Sequence, residues 1–168
     1  ELMTDGTIGL LDNLGKSQEE VIPSGHGEIQ GDNLYHSFKA LDLSSGQVAV
    51  LDVPEEVENV FIRITSGEAS LLNGVITSNR EGRNITLINE QGFELGPDTE
   101  FDTFSGIRLG AVDAIAFKDG GSFGGAGAIE GQLSEGEAIY EMAPERLSGS
   151  IKLFGPSLKD YVSDDDTG

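Results

Sequence analysis

Apolar residues in this chain come in short runs, each cut off by a turn before it is long enough to be a helix. The runs at 48–51, 60–64, 75–77, 84–88, 107–109 and 114–117 are rich in Val and Ile and predict short β-strands. Between them stand turn formers: Ser45-Gly46, Ser66-Gly67, Asn73-Gly74, Glu81-Gly82, Gln91-Gly92, Gly96-Pro97 and Asp119-Gly120. Glycine supplies positive φ at such places and asparagine tolerates it. Strands recurring every ~8 to 14 residues fit a sandwich, a barrel or a β-solenoid, and the pattern does not choose among them. Helical signals are confined to 54–59, where a proline precedes three acids, and to 142–146; each predicts one turn at most.

The segment Asn33-Leu34-Tyr35-His36-Ser37-Phe38 alternates. In a strand it puts Leu34, His36 and Phe38 on one face, with Tyr35 and Ser37 on the other. His36 therefore reads as a structural, hydrogen-bonded histidine on an apolar face. A Ser37–His36 nucleophile pair is excluded because adjacent strand residues point apart. Asn33, Asn73, Asn84 and Asn89 each border an apolar run, where coil corners of a solenoid would fall and where side-chain amides can bond the backbone of neighbouring coils. As turn residues they serve the scaffold equally well.

Composition narrows the partners. The 168 residues include 24 glycines, and the formal charge is −20. That length suits one domain, and the glycine content suits many tight turns. So acidic a surface repels phosphate backbones and anionic lipid, which disfavours binding to nucleic acid or membrane surfaces. No apolar stretch approaches the ~20 residues that span a bilayer as a helix. Nor does a basic and apolar leader open the sequence, so Glu1 reads as lying near a mature amino terminus. The chain has no cysteine, so it is not a disulfide scaffold; a chain threaded through a narrow pore would have the same need. No metal site is expected: clustered His or Cys for zinc is missing, and Asp164, Asp165 and Asp166 lack the spacing of a calcium loop. The glycines at 120–124 are not followed by the Lys-Ser/Thr pair of a phosphate loop. Asp98, Glu100 and Asp102 alternate and keep a carbohydrate-active enzyme open as an alternative.

Four stretches taken in order resemble the filamentous haemagglutinin N-terminal domain, the secretion domain of two-partner-secreted adhesins. They are 31–38, 62–67 (Ile62-Arg63-Ile64-Thr65-Ser66-Gly67), 72–76 (Leu72-Asn73-Gly74-Val75-Ile76) and 85–97, the last ending Asn89-Glu90-Gln91-Gly92-Phe93-Glu94-Leu95-Gly96-Pro97. The similarity runs from about residue 4 to about residue 120, and Glu90 and Gln91 depart from the family's Asn-Pro-Asn-Gly. The resemblance implies an all-β, right-handed parallel β-helix with an N-terminal cap, residues 1–120 forming cap and coils. From composition, residues 121–160 read as a Gly-rich turn and further coils of the same domain, with a hinge to a separate strand pair as the alternative, and 161–168 as a disordered acidic tail. The resemblance also implies secretion to the cell surface, an outer-membrane transporter with POTRA domains as partner, host or surface glycans or proteins as further partners, and no cofactor or catalysis. Asn33, Leu34, His36, Ser37, Phe38, Asn73, Gly74, Asn89, Gly92, Gly96 and Pro97 become the transporter-recognition or coil-corner residues on the same ground. A free-standing surface or matrix protein is the other alternative.

Overall fold

A computed structural model describes residues 2–4, 13–15, 19–112, 114–117, 122–124, 140–141 and 150–153. Its strands begin with β1 (Leu2–Thr4), β2 (Asn13–Gly15), β3 (Glu19–Ile22), β4 (Glu28–Gln30), β5 (Asn33–Leu41) and β6 (Val48–Leu51). Next come β7 (Asn59–Ile64), β8 (Ser70–Leu72), β9 (Val75–Ser78), β10 (Asn84–Asn89), β11 (Gly92–Leu95) and β12 (Glu100–Phe101). The last are β13 (Gly106–Gly110), β14 (Ala114–Phe117), β15 (Ser122–Gly124), β16 (Tyr140–Glu141) and β17 (Ser150–Leu153).

The strands stack into a parallel β-helix with three faces. Face one is the ladder β5, β7, β10, β13; face two is β3, β6, β9, β12; face three is β8, β11, β17. Every pairing within these ladders is parallel, and the coils β7–β9 and β10–β12 each contribute one strand to each face before the chain moves up a level. On face one the rungs Asn33, Asn59, Asn84 and Gly106 recur at intervals of 26, 25 and 22 residues (33 to 59, 59 to 84, 84 to 106). Antiparallel strands lie against the first coil: β4 pairs with the start of β5, and β1 with its end.

Alternation fills the coil interior. Leu34 and Phe38 from the first coil, Val60, Ile62 and Ile64 from the second, and Ile85 and Leu87 from the third all point inward from face one. They meet Leu51 and Ile76 of face two and Leu72, Phe93 and Leu95 of face three in one contiguous core. Each such side chain withdrawn from water contributes roughly 1.5–3 kcal/mol.

Face one is also covered from outside. Tyr35 and Phe61 point away from the coil interior on consecutive rungs and stack with ring centroids 5.1 Å apart. Phe123 of β15 closes over them, 5.0 Å from Tyr35 and 6.4 Å from Phe61. β15 and β16 flank β14 in a small antiparallel sheet, and Tyr35, Phe61, Ile88, Ile115 and Phe123 are all buried. After this excursion the chain returns to the solenoid as β17, in parallel register with β11.

The expected helical turn at 54–59 is a single reverse turn, closed by Val57 N–H donating to Pro54 O at 3.0 Å. Tertiary pairing overrides the local propensity. The Glu58 and Asn59 N–H groups both donate to Asp32 O, at 2.8 and 3.1 Å, which draws Asn59 into β7. The turn expected at 142–146 and the tail at 161–168 lie outside the described residues.

Candidate functional site

Coil corners are fixed by side chains that bond to a neighbouring coil. At the passage from face one to face three, Asn89 is 1 % exposed. Its Nδ2 donates to Glu68 O at 2.9 Å and Ser70 Oγ at 3.0 Å, while its Oδ1 accepts from Gln91 N–H at 2.9 Å. Glu90 and Gln91 then form a tight turn into Gly92, whose φ of 94° suits glycine. The divergent Asn89-Glu90-Gln91-Gly92 thus closes a corner without a proline.

Between faces three and two stand Asn73 and Gly74, and one coil later Gly96 and Pro97. Asn73 Oδ1 accepts from Asp98 N–H at 2.9 Å, and the backbones join through Gly96 N–H to Leu72 O at 2.9 Å. Thr99 Oγ1 also donates to Leu72 O. At the third corner, Asn79 Oδ1 accepts from Val53 N–H at 2.8 Å and its Nδ2 donates to Asp52 Oδ1 at 3.0 Å. Above it Thr103 adopts φ 73°, a strained value for a non-glycine residue. Its Oγ1 accepts from Ser78 N–H at 3.1 Å.

The N-terminal group is spread over two sides of β5. Leu34 and Phe38 are core residues. Ser37 lies on the outer side, where its Oγ accepts from Arg63 Nε at 3.2 Å. His36 is fully buried beside Phe38, the rings stacked at 5.6 Å. Contrary to the hydrogen-bonded histidine expected, neither ring nitrogen has a hydrogen-bond partner. Burial is the main cause that lowers its pKa from 6.5 to about 4; the neighbouring charge of His26 adds to the fall and the His26 backbone opposes it. Serine and histidine at 36–37 face opposite ways.

Asn33 begins a ladder of amides up the outer edge of face one. Its Nδ2 donates to the Tyr35 hydroxyl at 3.2 Å, Asn59 Nδ2 donates to Asn33 Oδ1 at 3.0 Å, and Asn84 Nδ2 donates to Asn59 Oδ1 at 3.1 Å. Both amide–amide links donate toward the N-terminal end. Asn33 and Asn89 occupy opposite ends of face-one strands two levels apart, on the order of 20 Å by strand spacing and rise. The structure therefore gathers the candidate residues along one solenoid and not into one pocket.

Asn59, Asn79, Thr99 and Thr103 escaped the sequence reading. The recurrence of asparagine at 33, 59 and 84 is a signal that would have found the first. Asp98, Glu100 and Asp102 are exposed on the last coil, with Asp98 Oδ2 accepting from Ser45 Oγ at 2.6 Å. Among the described residues no three His, Cys, Asp or Glu side chains cluster as a metal site.

The family described as TPS secretion domain matches residues 12–157 of the chain. That match continues past residue 120, where the resemblance read from the motifs stops. Neither the curated proteins nor the solved structures contain a match.

Proposed function

Since the chain belongs to the TPS secretion domain family and is thus a substrate of two-partner secretion, we propose that it is the N-terminal secretion domain of an extracellular adhesin-like protein, recognised by an outer-membrane transporter with POTRA domains. One observation carries the recognition step. Asn33, Leu34, His36, Ser37, Phe38 and Asn89 are all buried in the folded domain. A transporter that reads these residues reads them before the coils close, while the chain is extended and its backbone is free to add to a sheet edge. Folding then removes the recognised segments from reach. With roughly 1–3 kcal/mol per ~20-residue coil, from typical stability per residue, coil closure outside the cell biases export outward without nucleotide hydrolysis.

Nucleation of further coils is the second part of the proposal. Among the described residues β13 pairs on one side only, with β10, and so presents an open parallel edge on which a following coil can form.

Secretion assays test both parts. Asn33→Ala and Asn89→Ala are compared with Ile64→Ala and Leu87→Ala, chosen for matched loss of stability. Recognition by the asparagines predicts that their variants lose more secretion than the core variants; equal loss assigns them to the scaffold alone. Unimpaired secretion in cells lacking the transporter would remove the transporter-dependent reading altogether.

A further inference from the structure

The corner between β8 and β9 consists of Asn73 and Gly74, and the fold has a use for both. Gly74 is buried, and a Cβ there would stand 2.5 Å from Gln47 O and 2.9 Å from Ser44 O in the coil before, so no other residue fits. Asn73 Oδ1 accepts from Asp98 N–H in the coil after, at 2.9 Å. The result is the one Asn-Gly dipeptide in the chain; every other asparagine precedes Leu, Val, Arg, Ile or Glu. Asparagine is a labile residue, and its amide is attacked most readily by the following backbone nitrogen when that residue is glycine, because no side chain shields the nitrogen.

We propose that Asn73-Gly74 is a self-modification site that limits how long the chain can wait unfolded and still fold. In the extended chain the Gly74 backbone nitrogen attacks Asn73 Cγ. A bond forms between them, the Cγ–Nδ2 bond breaks, and ammonia leaves with the proton of the Gly74 N–H, which closes a succinimide ring. Water then opens the ring at either carbonyl. Breaking the new bond to Cγ gives an aspartate; breaking the original peptide bond gives an iso-aspartate, with the main chain rerouted through Cβ and Cγ. Folding stops the reaction. Asn73 N–H donates to Leu43 O and Val75 N–H to Gln47 O, each at 2.9 Å, so the backbone is held on both sides of the Gly74 nitrogen. The side chain is held as well, Oδ1 by Asp98 N–H and Cγ by Gly96, where a Cβ would overlap it. In the other direction, an iso-aspartate stops folding. It lengthens by one atom a corner whose ends are fixed in register, Leu72 against Leu95 and Val75 against Val48 and Glu100. So short a corner cannot absorb the atom without shifting β9 along face two. An aspartate keeps an acceptor for Asp98 N–H and leaves the corner intact. The cost to export rests on the proposed passage of an unfolded chain; the chemistry needs only the folded and unfolded states.

The test compares the 168-residue chain aged in buffer with the same chain aged in guanidinium chloride above its unfolding midpoint, both at mildly alkaline pH. Peptide mapping by mass spectrometry follows the amide-to-acid mass change at position 73 and separates aspartate from iso-aspartate by elution. Conversion in the folded chain should be at least about a hundredfold slower, which corresponds to an opening cost of about 2.8 kcal/mol. The denatured, aged chain is then diluted to refold and divided by size into folded and unfolded fractions. Iso-aspartate at position 73 should collect in the fraction that fails to fold, while asparagine and aspartate there should share the folded one. Asn73→Asp, made without ageing, should refold as the parent does. Equal conversion in buffer and in denaturant overturns the protection by the fold. Iso-aspartate at position 73 in equal share in both fractions overturns the limit on folding. Failure of Asn73→Asp to refold overturns the assignment to the added chain atom. Each readout is made without a transporter, so its failure is distinct from failure of the secretion assays.

Discussion

Faces one and two are built from the same coils, yet they bury their strands differently. On face two, β6 and β9 alternate between half-buried and buried positions, the pattern of a sheet with one side packed. On face one every residue of β7 is buried, as are five of the six in β10. The backbone is equally parallel in both. The difference lies outside the solenoid, where Phe123 and Ile115 of the small antiparallel sheet are buried along with the outward rings of face one. A solenoid face thus takes its character from what lies on it, and face one is held from two sides where face two is held from one.

The sharpest way to break this comparison is to remove the ring at its centre. Phe61→Ala should cost about 3–5 kcal/mol in urea unfolding, the usual range for a buried phenylalanine. A cost no larger than that of an outward residue of face two would mean that the outer cover adds nothing.

The inner side of face one can be probed separately through His36. The folded state holds its proton more weakly than the unfolded chain does, with a folded value of about 4 against 6.5. Its stabilisation is therefore complete above pH 6.5 and is lost as pH falls from there toward 4, by at most about 3 kcal/mol. Stability curves should show this slope in the parent, and His36→Phe should flatten it.

Asn89→Ala tests the corner that leaves face one. Loss of its three bonds leaves buried groups unpaired and should cost about 1–3 kcal/mol. Smallest of all should be Val50→Ala, at a half-buried outward position of face two, with a cost below about 1 kcal/mol. Thermal or urea melts of the four proteins, read together, rank the two faces.

How much of this was legible in the sequence follows from the same contrast. Alternation in 33–38 identified the inward set Leu34, His36 and Phe38, because a strand's period is local. The turns at Asn73-Gly74, Gln91-Gly92 and Gly96-Pro97 were legible for the same reason. Burial of Tyr35 and Phe61 on the outer side was not, since it depends on Phe123, more than sixty residues further along. The turn at 54–59 was misread as helical because its local propensity is real and the bonds to Asp32 O that overrule it are remote. His36 was placed correctly but its lack of hydrogen-bond partners was not, as that depends on how the neighbouring turn at His26 packs. Among the candidate site residues, the corner role of Asn89 could be anticipated from its place after an apolar run. Its partners Glu68 and Ser70 could not, because they belong to another coil.

The return of the chain at β17 sets the order in which the molecule can assemble. Ser70 and Phe93 are adjacent rungs of face three separated by 23 positions, whereas Gly92 and Ser150, the next pair, are separated by 58. Closing the longer loop costs only about 0.8 kcal/mol more in chain entropy, so the excursion is cheap at equilibrium. In time it is not: pairings distant in sequence form slowly. The coils up to β13 can be complete before β17 arrives, and the final rung of face three acts as a late clasp, set only once the chain between has been laid down.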